Sequence, residues 1–396
     1  MMFSIDNKRI QNILQILIYL FVNSMFILKY LPRLYDGSVS VLVAYLLVTA
    51  FFILFFPPFT IRFPEKMHRF LFWGVIVSVI LGITVILIKI DPFTVRVDRW
   101  SAVSYFLDAM FKGNYPYGVH THVSTTNYPS PFPVWHLLNI PFFLMGDMGL
   151  ALIFFFLLTA FSVYNFFRSY RKSTFFLILL LISPAYWWEM AVRSDSLSNA
   201  LLVFNFLLLY KKYNFDIKNN LVFTAIICGL IAGTRFSAMI PIALFFFKPW
   251  LELVNRDKIR FVLIVAGIFL LAFLPFVFWD TKNWIFFSRN PFMSQTSVGS
   301  PYVLIVMVGL GVWLSLKWTN FVSFAGIMSV FLLLFMQTSL ITLRFVRDVD
   351  IPIFDDSLYD ISYLNLLLPY CIFSIVCLSN WKMAEYRERL LQYEMS

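Results

Sequence analysis

Apolar runs long enough to cross a bilayer recur along almost the whole chain. They lie near residues 10–29, 40–58, 70–90, 149–167, 174–191, 196–210, 259–279, 301–317, 320–343 and 361–379. About 20 apolar residues in a helix cover the roughly 30 Å of hydrocarbon in a membrane. Backbone inside lipid must satisfy its own hydrogen bonds, which leaves helices as the fold for runs of this kind. The stretch 220–248 is equally apolar but is interrupted by Gly233, Thr234, Arg235 and Pro241, and it reads as two short helices that enter and return. With that pair the chain is predicted to be an all-α, polytopic transmembrane bundle of about 11–13 spans, twelve in this reading. The run 133–146 is too short to cross and contains Pro141, so it is predicted to be an interfacial or re-entrant helix.

Composition agrees with a lipid environment. Of the 396 residues 60% are hydrophobic and only 13% are charged, too few charges to cover a water-facing surface. The net charge of +10 could suggest a nucleic-acid partner, but the positions of the basic residues argue against one. With the N-terminus placed in the cytoplasm, most Lys and Arg fall on the inner side. The densest clusters, RSYRK (168–172), KKYNFDIK (211–218) and NRDKIR (255–260), all do so. Both termini are therefore expected to be cytoplasmic. Loops 91–147, 280–300 and 344–360 are expected on the outer face. The first apolar run lacks a small-residue cleavage site and reads as a retained helix. Compact loops, no sorting signal and an AT-biased composition favour a bacterial inner membrane. Cys228, Cys371 and Cys377 all lie in apolar runs and form neither a disulfide framework nor a metal motif. No phosphate-binding glycine motif and no transporter-like internal repeat is found.

The outer loop 91–147 carries the densest set of chemically capable residues. Asp98 and Arg99 precede an amphipathic helix with Trp100, Val103, Phe106, Leu107 and Met110 at three-to-four spacing. Lys112-Gly113-Asn114-Tyr115-Pro116-Tyr117 ends that helix. Asn127-Tyr128-Pro129-Ser130-Pro131-Phe132 then leads into the interfacial run.

An acidic residue just past an early span, an outer helix, a G-x-x-P-Y turn and a Y-P-x-P-F element together resemble the GT-C superfamily of integral-membrane glycosyltransferases. The resemblance extends over about residues 70 to 280, through MGLALIFFFLLTAFSVYNFFRSYRK, LILLLISPAYWWEMAVRSDSLSNALLVF and LVFTAIICGLIAGTRFSAMIPIALFF. The chain departs from the common pattern in its extra early spans and in having no large C-terminal domain beyond the membrane. The resemblance implies a mannosyltransferase-like enzyme of GT-C fold. Its donor would be a polyprenyl-phosphate-linked sugar and its acceptor a glycan, lipid or protein, with inverting transfer on the non-cytoplasmic face.

In such a reaction one carboxylate takes the acceptor's proton and cations stabilise the departing lipid phosphate. Asp98 is the candidate catalytic base, although an N-cap for the helix beginning at Arg99 would read the same in sequence. Arg99 and Tyr128 are placed with the substrate-binding residues. Asp195 reads either as a residue that binds donor phosphate or orients acceptor, or as an N-cap, a role for which Ser194 and Ser196 compete. Glu189 reads as a functional carboxylate or one that snorkels. Arg235 lies in the middle of an apolar stretch, where an arginine is costly unless paired or facing water. It is a candidate phosphate clamp, or the structural partner of Asp195 or Glu189.

Arg344 and Arg347 could contact phosphate or anchor the interface. Asp348, Asp350, Asp355 and Asp356 read as a solvated loop, with a divalent cation left open as the only cofactor. His120 and His122 could bind sugar or metal, or be polar loop; no metal ligand set is predicted. Tyr115, Tyr117, Trp135, Trp284 and Tyr302 could stack on sugars or form an aromatic belt. Two other classes fit the same spans. A Wzy-type polysaccharide polymerase or ligase would depend on Arg289, Arg344 and Arg347. A lipid-linked-sugar flippase or transporter would use the acids as ion sites.

Overall fold

A computed structural model describes residues 5–33, 37–60, 63–282, 290–296, 301–347, 360–379 and 381; side chains at 5–7, 33, 293, 296, 301 and 343–347 fall outside that description. The described residues are helical, with no strand among them. In order the helices are α1 (Ile5–Tyr30), α2 (Ser38–Phe59), α3 (Glu65–Lys89), α4 (Arg99–Phe111), α5 (Pro133–Leu138), α6 (Ile140–Leu144) and α7 (Leu150–Phe167). They continue as α8 (Tyr170–Leu181), α9 (Pro184–Ala191), α10 (Asp195–Lys212), α11 (Leu221–Ala232), α12 (Phe236–Leu251) and α13 (Asn255–Trp279). The last four are α14 (Pro291–Thr296), α15 (Pro301–Ser315), α16 (Phe321–Arg347) and α17 (Leu368–Leu378).

Seven helical segments are long and apolar enough to cross a membrane, or eight if the bent pair α8–α9 is one span. Their outward faces need lipid. On α2 and α3 alone Leu47, Phe51, Phe70 and Ile88 are more than 60% exposed, a burden that a water-facing surface would not carry. The chain is a multi-pass helical membrane protein.

The expected twelve crossings each coincide with a helical segment, but five do not behave as independent apolar spans. The run 174–191 is two helices bent by 64°. The bend falls at Ser183-Pro184, where the proline cannot donate to the preceding turn and opens α9 at its first position. The run 196–210 belongs to α10, which is buried on nearly all sides and carries polar groups inward. Asn199 donates to Thr234 Oγ1 (2.9 Å) and Asn205 to Thr159 Oγ1 (3.0 Å). α10 is thus a central strut whose Asn199 and Asn205 amides are tied to neighbouring helices. α11, α12 and the apolar part of α15 are 17 residues or fewer.

The core runs through α1 and α17. Tyr19 donates to the Leu179 carbonyl (2.6 Å), Asn23 accepts from Ser183 Oγ (2.5 Å), and Gln15 bonds Gly326 and Ser329 of α16. These contacts tie α1 to the kinked α8–α9 pair and to α16. The predicted amphipathic helix is α4, with Trp100, Val103, Phe106 and Leu107 buried as expected. The run 133–146 forms the two short helices α5 and α6, too short to cross.

Candidate functional site

Five segments meet at one end of the bundle: the 91–147 loop, the α9–α10 turn, the α11–α12 break, α14, and residues 360–363. The break is built for contact. Arg235 leaves α11 in an extended conformation (φ −156°, ψ 152°), which frees two carbonyls. Phe132 donates to Thr234 O (2.9 Å) and Val134 to Gly233 O (3.0 Å). Gly233 has no room for a side chain, since a Cβ there would come within 2.7 Å of Val134 Cγ2. The outer loop is therefore docked directly on the broken helix. Gln295 fastens the other side, donating to Ser130 O and accepting from Phe236 N–H (2.7 Å).

Two buried guanidinium groups lie here. Arg235 donates through Nε (3.0 Å) and Nη2 to a single oxygen of Asp195, Oδ2, and Asp195 Oδ1 finds no hydrogen-bond partner among the described residues. A guanidinium has five N–H donors, so three of Arg235's remain beyond this pair. Of the two readings from sequence, the pairing with Asp195 is realised. Arg99 donates to Asp360 Oδ2 (2.5 Å) and Ser194 Oγ (3.3 Å), and stands 3.9 Å from Glu189. Tyr363 lies under the Arg99 guanidinium at 5.4 Å, and the charges of Arg235 and Asp195 also reach it. Burial opposes the charge on Arg99, yet Asp360, Glu189 and Asp195 hold it well above its ordinary range. Burial would push Asp360 up, but Arg99 and the Ser362 backbone N–H hold its carboxyl below the usual range. The two pairs form one electrostatic unit.

Asp98 occupies the N-cap position of α4 but makes no side-chain cap bond, which corrects the cap reading. Its carboxylate instead accepts from Thr121 Oγ1 (3.0 Å) and Asn127 Nδ2 (2.9 Å), both on Oδ2. Among the described residues the second oxygen has no such partner, in a half-exposed position at the start of the outer helix. Asp195 is likewise not the cap of α10. Ser194 is, accepting from Ser196 N–H (3.2 Å), which leaves the Asp195 carboxylate free to face Arg235.

His122 is absorbed by the loop itself, through Ser101 Oγ (2.7 Å) and Val95 O (3.1 Å), which removes both ring nitrogens from metal duty. His120 packs against Tyr128 at 4.6 Å. Among the described residues no group of three or more His, Cys, Asp or Glu could hold a metal. Trp135 and Tyr117 are fully buried and belong to the core rather than a belt, while Tyr302 is 81% exposed. Arg344 and Arg347 fall in the last turns of α16 with side chains outside the described residues; Arg289, Trp284, Asp348, Asp350, Asp355 and Asp356 lie outside them altogether.

No protein-family model, curated protein or solved structure matches this chain.

Several partners at this end escaped the sequence reading. Arg193 sits in the left-handed region (φ 49°), unfavourable for a side chain with a Cβ. It is held there by Asp147 and by the carbonyls of Leu87 and Ile90. Asp360 is the last residue of the acidic loop 344–360 and was hidden among its other acids. Gln295 and Asn127 carry no charge to draw attention.

Beside Arg235 an apolar groove of about 190 Å³ begins at Phe236 and follows one face of α12, through Leu244 to Phe247. Its other walls come from α15 and α16, including Met307 and Phe331, with Gly311 on its floor, and it presents no polar surface. Eleven helical residues span about 16 Å, so the groove runs deep into the bundle.

Proposed function

We propose that the chain is an integral-membrane glycosyltransferase of GT-C type that takes its sugar from a polyprenyl-phosphate donor. One observation carries the reading. Arg235 and Phe236 are consecutive, the first a buried cation with unspent donors, the second the mouth of a wholly apolar groove. A cationic head beside a long apolar slot is complementary to an amphiphile with an anionic head and a hydrocarbon tail. The phosphate would lie on Arg235, with Asp195 keeping the guanidinium oriented and neutralised when the donor leaves. Asp98, anchored through one oxygen and open at the other, is the group that takes the acceptor's proton as the sugar's anomeric carbon is attacked. The departing lipid phosphate needs positive charge and no proton, which Arg235 supplies.

The basic clusters 168–172, 211–218 and 255–260 flank helix ends opposite to this site, and this supports a non-cytoplasmic face for it with both termini in the cytoplasm. A bacterial inner membrane is the membrane proposed, and the acceptor is a glycan, lipid or protein.

A polyprenyl phosphate carrying a photoactivatable group on its tail tests the donor site. The expected labels are groove residues of α12 and α15, with labelling reduced at least tenfold in Arg235→Ala. Labelling confined to the outer faces of α2 and α3, or indifferent to Arg235, contradicts the assignment.

A further inference from the structure

A second cavity, of about 350 Å³, opens on the other side of α4. Four aromatic side chains line it: Phe93, Trp100, Tyr105 and Phe143. Its polar wall is Ser104 with the pair Asp147 and Arg193. Phe93 meets Trp100 edge-on at 5.1 Å and Tyr105 meets it at 6.1 Å, so these three rings form one continuous wall. Gly146, with φ of 91°, bends the chain between Phe143 and Asp147 so that both border the cavity.

The charge pattern decides what can bind. Arg193 spends Nε and Nη2 on Asp147 and gives Nη1 to Ile90 O (3.1 Å) and Nη2 also to Leu87 O (2.8 Å). It has little left for an anion. Asp147 is balanced by that same guanidinium, so a cation gains no net charge either; Arg193 and the Gly149 N–H (2.7 Å) fill Oδ1, and Oδ2, which takes one bond from Arg193, keeps a lone pair that can accept a hydroxyl. Aromatic faces carry negative quadrupoles that attract the C–H face of a saturated ring. Aromatic walls, hydroxyl acceptors and no net charge fit a neutral polyhydroxylated ring.

We infer that the cavity between α4, α6 and the α9–α10 turn is a binding subsite for a neutral pyranoside. Resting on the transferase reading, it is the place for the acceptor's sugar. Trp100 of its wall packs on His122 at 5.1 Å, and the adjacent Thr121 donates to Asp98. The cavity and the candidate base thus share one short segment of loop.

The test uses the full chain in phosphatidylglycerol nanodiscs and saturation-transfer NMR with methyl hexopyranosides, phosphocholine and inorganic phosphate as probes. At least one methyl hexopyranoside is expected to receive saturation on its ring C–H protons. The signal should fall at least tenfold in Tyr105→Ala and Phe143→Ala, persist in Tyr105→Phe, and be unchanged in Asp98→Asn. Absence of transfer to every pyranoside, its survival in both alanine variants, or displacement by phosphocholine or phosphate overturns the subsite. Persistence in Tyr105→Phe separates loss of the ring face from loss of fold. Binding is read without turnover, so pyranoside binding in a protein that moves no sugar rejects the transferase alone. Transfer without pyranoside binding rejects the subsite alone.

Discussion

Arg235 and Asp195, 40 residues apart, are joined through two donors on one carboxylate oxygen at the point where the α11–α12 helix is broken. Both side chains are about 6% exposed, so neither charge has water to fall back on. Removing one member of a buried pair strands the other, at a cost of about 3–5 kcal/mol. Asp195→Ala and Arg235→Ala should each lower the thermal midpoint in detergent markedly. The double substitution Asp195→Leu/Arg235→Met should recover much of the loss while leaving donor binding absent.

The groove should discriminate lipid length. Gly311 lies on its floor, and an added Cβ would touch Phe331 and Leu244 at 3.4 and 3.5 Å, which Gly311→Ala can accommodate. Gly311→Phe fills the slot. KM for a long-chain polyprenyl-phosphate donor is expected to rise about tenfold or more in Gly311→Phe and little in Gly311→Ala, with a short-chain donor unaffected in both. Ten-fold corresponds to about 1.4 kcal/mol, within what burying a few methylenes contributes.

Acid should destabilise the docked loop through His136. It stacks on Phe106 at 3.6 Å and bonds Pro131 O (3.1 Å), and burial pushes its pKa down to about 3. The folded state thus binds this proton less readily than the unfolded chain, whose histidine titrates near pH 6.5. Stability from this group is complete above that pH and falls as pH drops toward 3, by about 1.4 kcal/mol per unit within the window. Thermal midpoints measured from pH 7 to pH 4 should decline less steeply in His136→Phe than in the wild type.

Asp360 should matter through Arg99. Its carboxyl is held below the usual range by that guanidinium, so its contribution is present above the ordinary aspartate pKa and disappears as pH falls through the lowered value. Asp360→Asn is expected to leave the fold intact and to lower turnover by loosening Arg99, which then keeps Ser194, the Tyr363 ring and the more distant Glu189. Unchanged kcat and KM in Asp360→Asn would remove Arg99 from the site.

Much of this was legible in the sequence because apolar length and helix breakers are local signals. The Gly233-Thr234-Arg235 interruption and the short 133–146 run both appear as expected. What the sequence hid was which polar groups face one another. α10 reads as an ordinary apolar run, yet Asn199 and Asn205 make it an internal strut, a fact set by neighbours far along the chain. Asp98 can read as a cap in sequence until its oxygen is seen to accept from Thr121 and Asn127 and not from the helix, and Asp147, Arg193 and Asp360 gain meaning only from partners 46 to 261 residues away.

Asp98 is the most direct point of attack. Thr121 and Asn127 both donate to Oδ2, so in Asp98→Asn the amide oxygen can take that place and keep both bonds. Stability should change by no more than about 1 kcal/mol. The measurement is the rate at which radiolabelled sugar leaves a polyprenyl-phosphate donor for a membrane-extract acceptor, using purified wild type and Asp98→Asn in nanodiscs. The expected result is transfer by the wild type, reduced about 10²–10⁴-fold in the variant with donor photolabelling intact. No transfer by the wild type with any polyprenyl-phosphate sugar, or equal transfer by both proteins, contradicts the assignment.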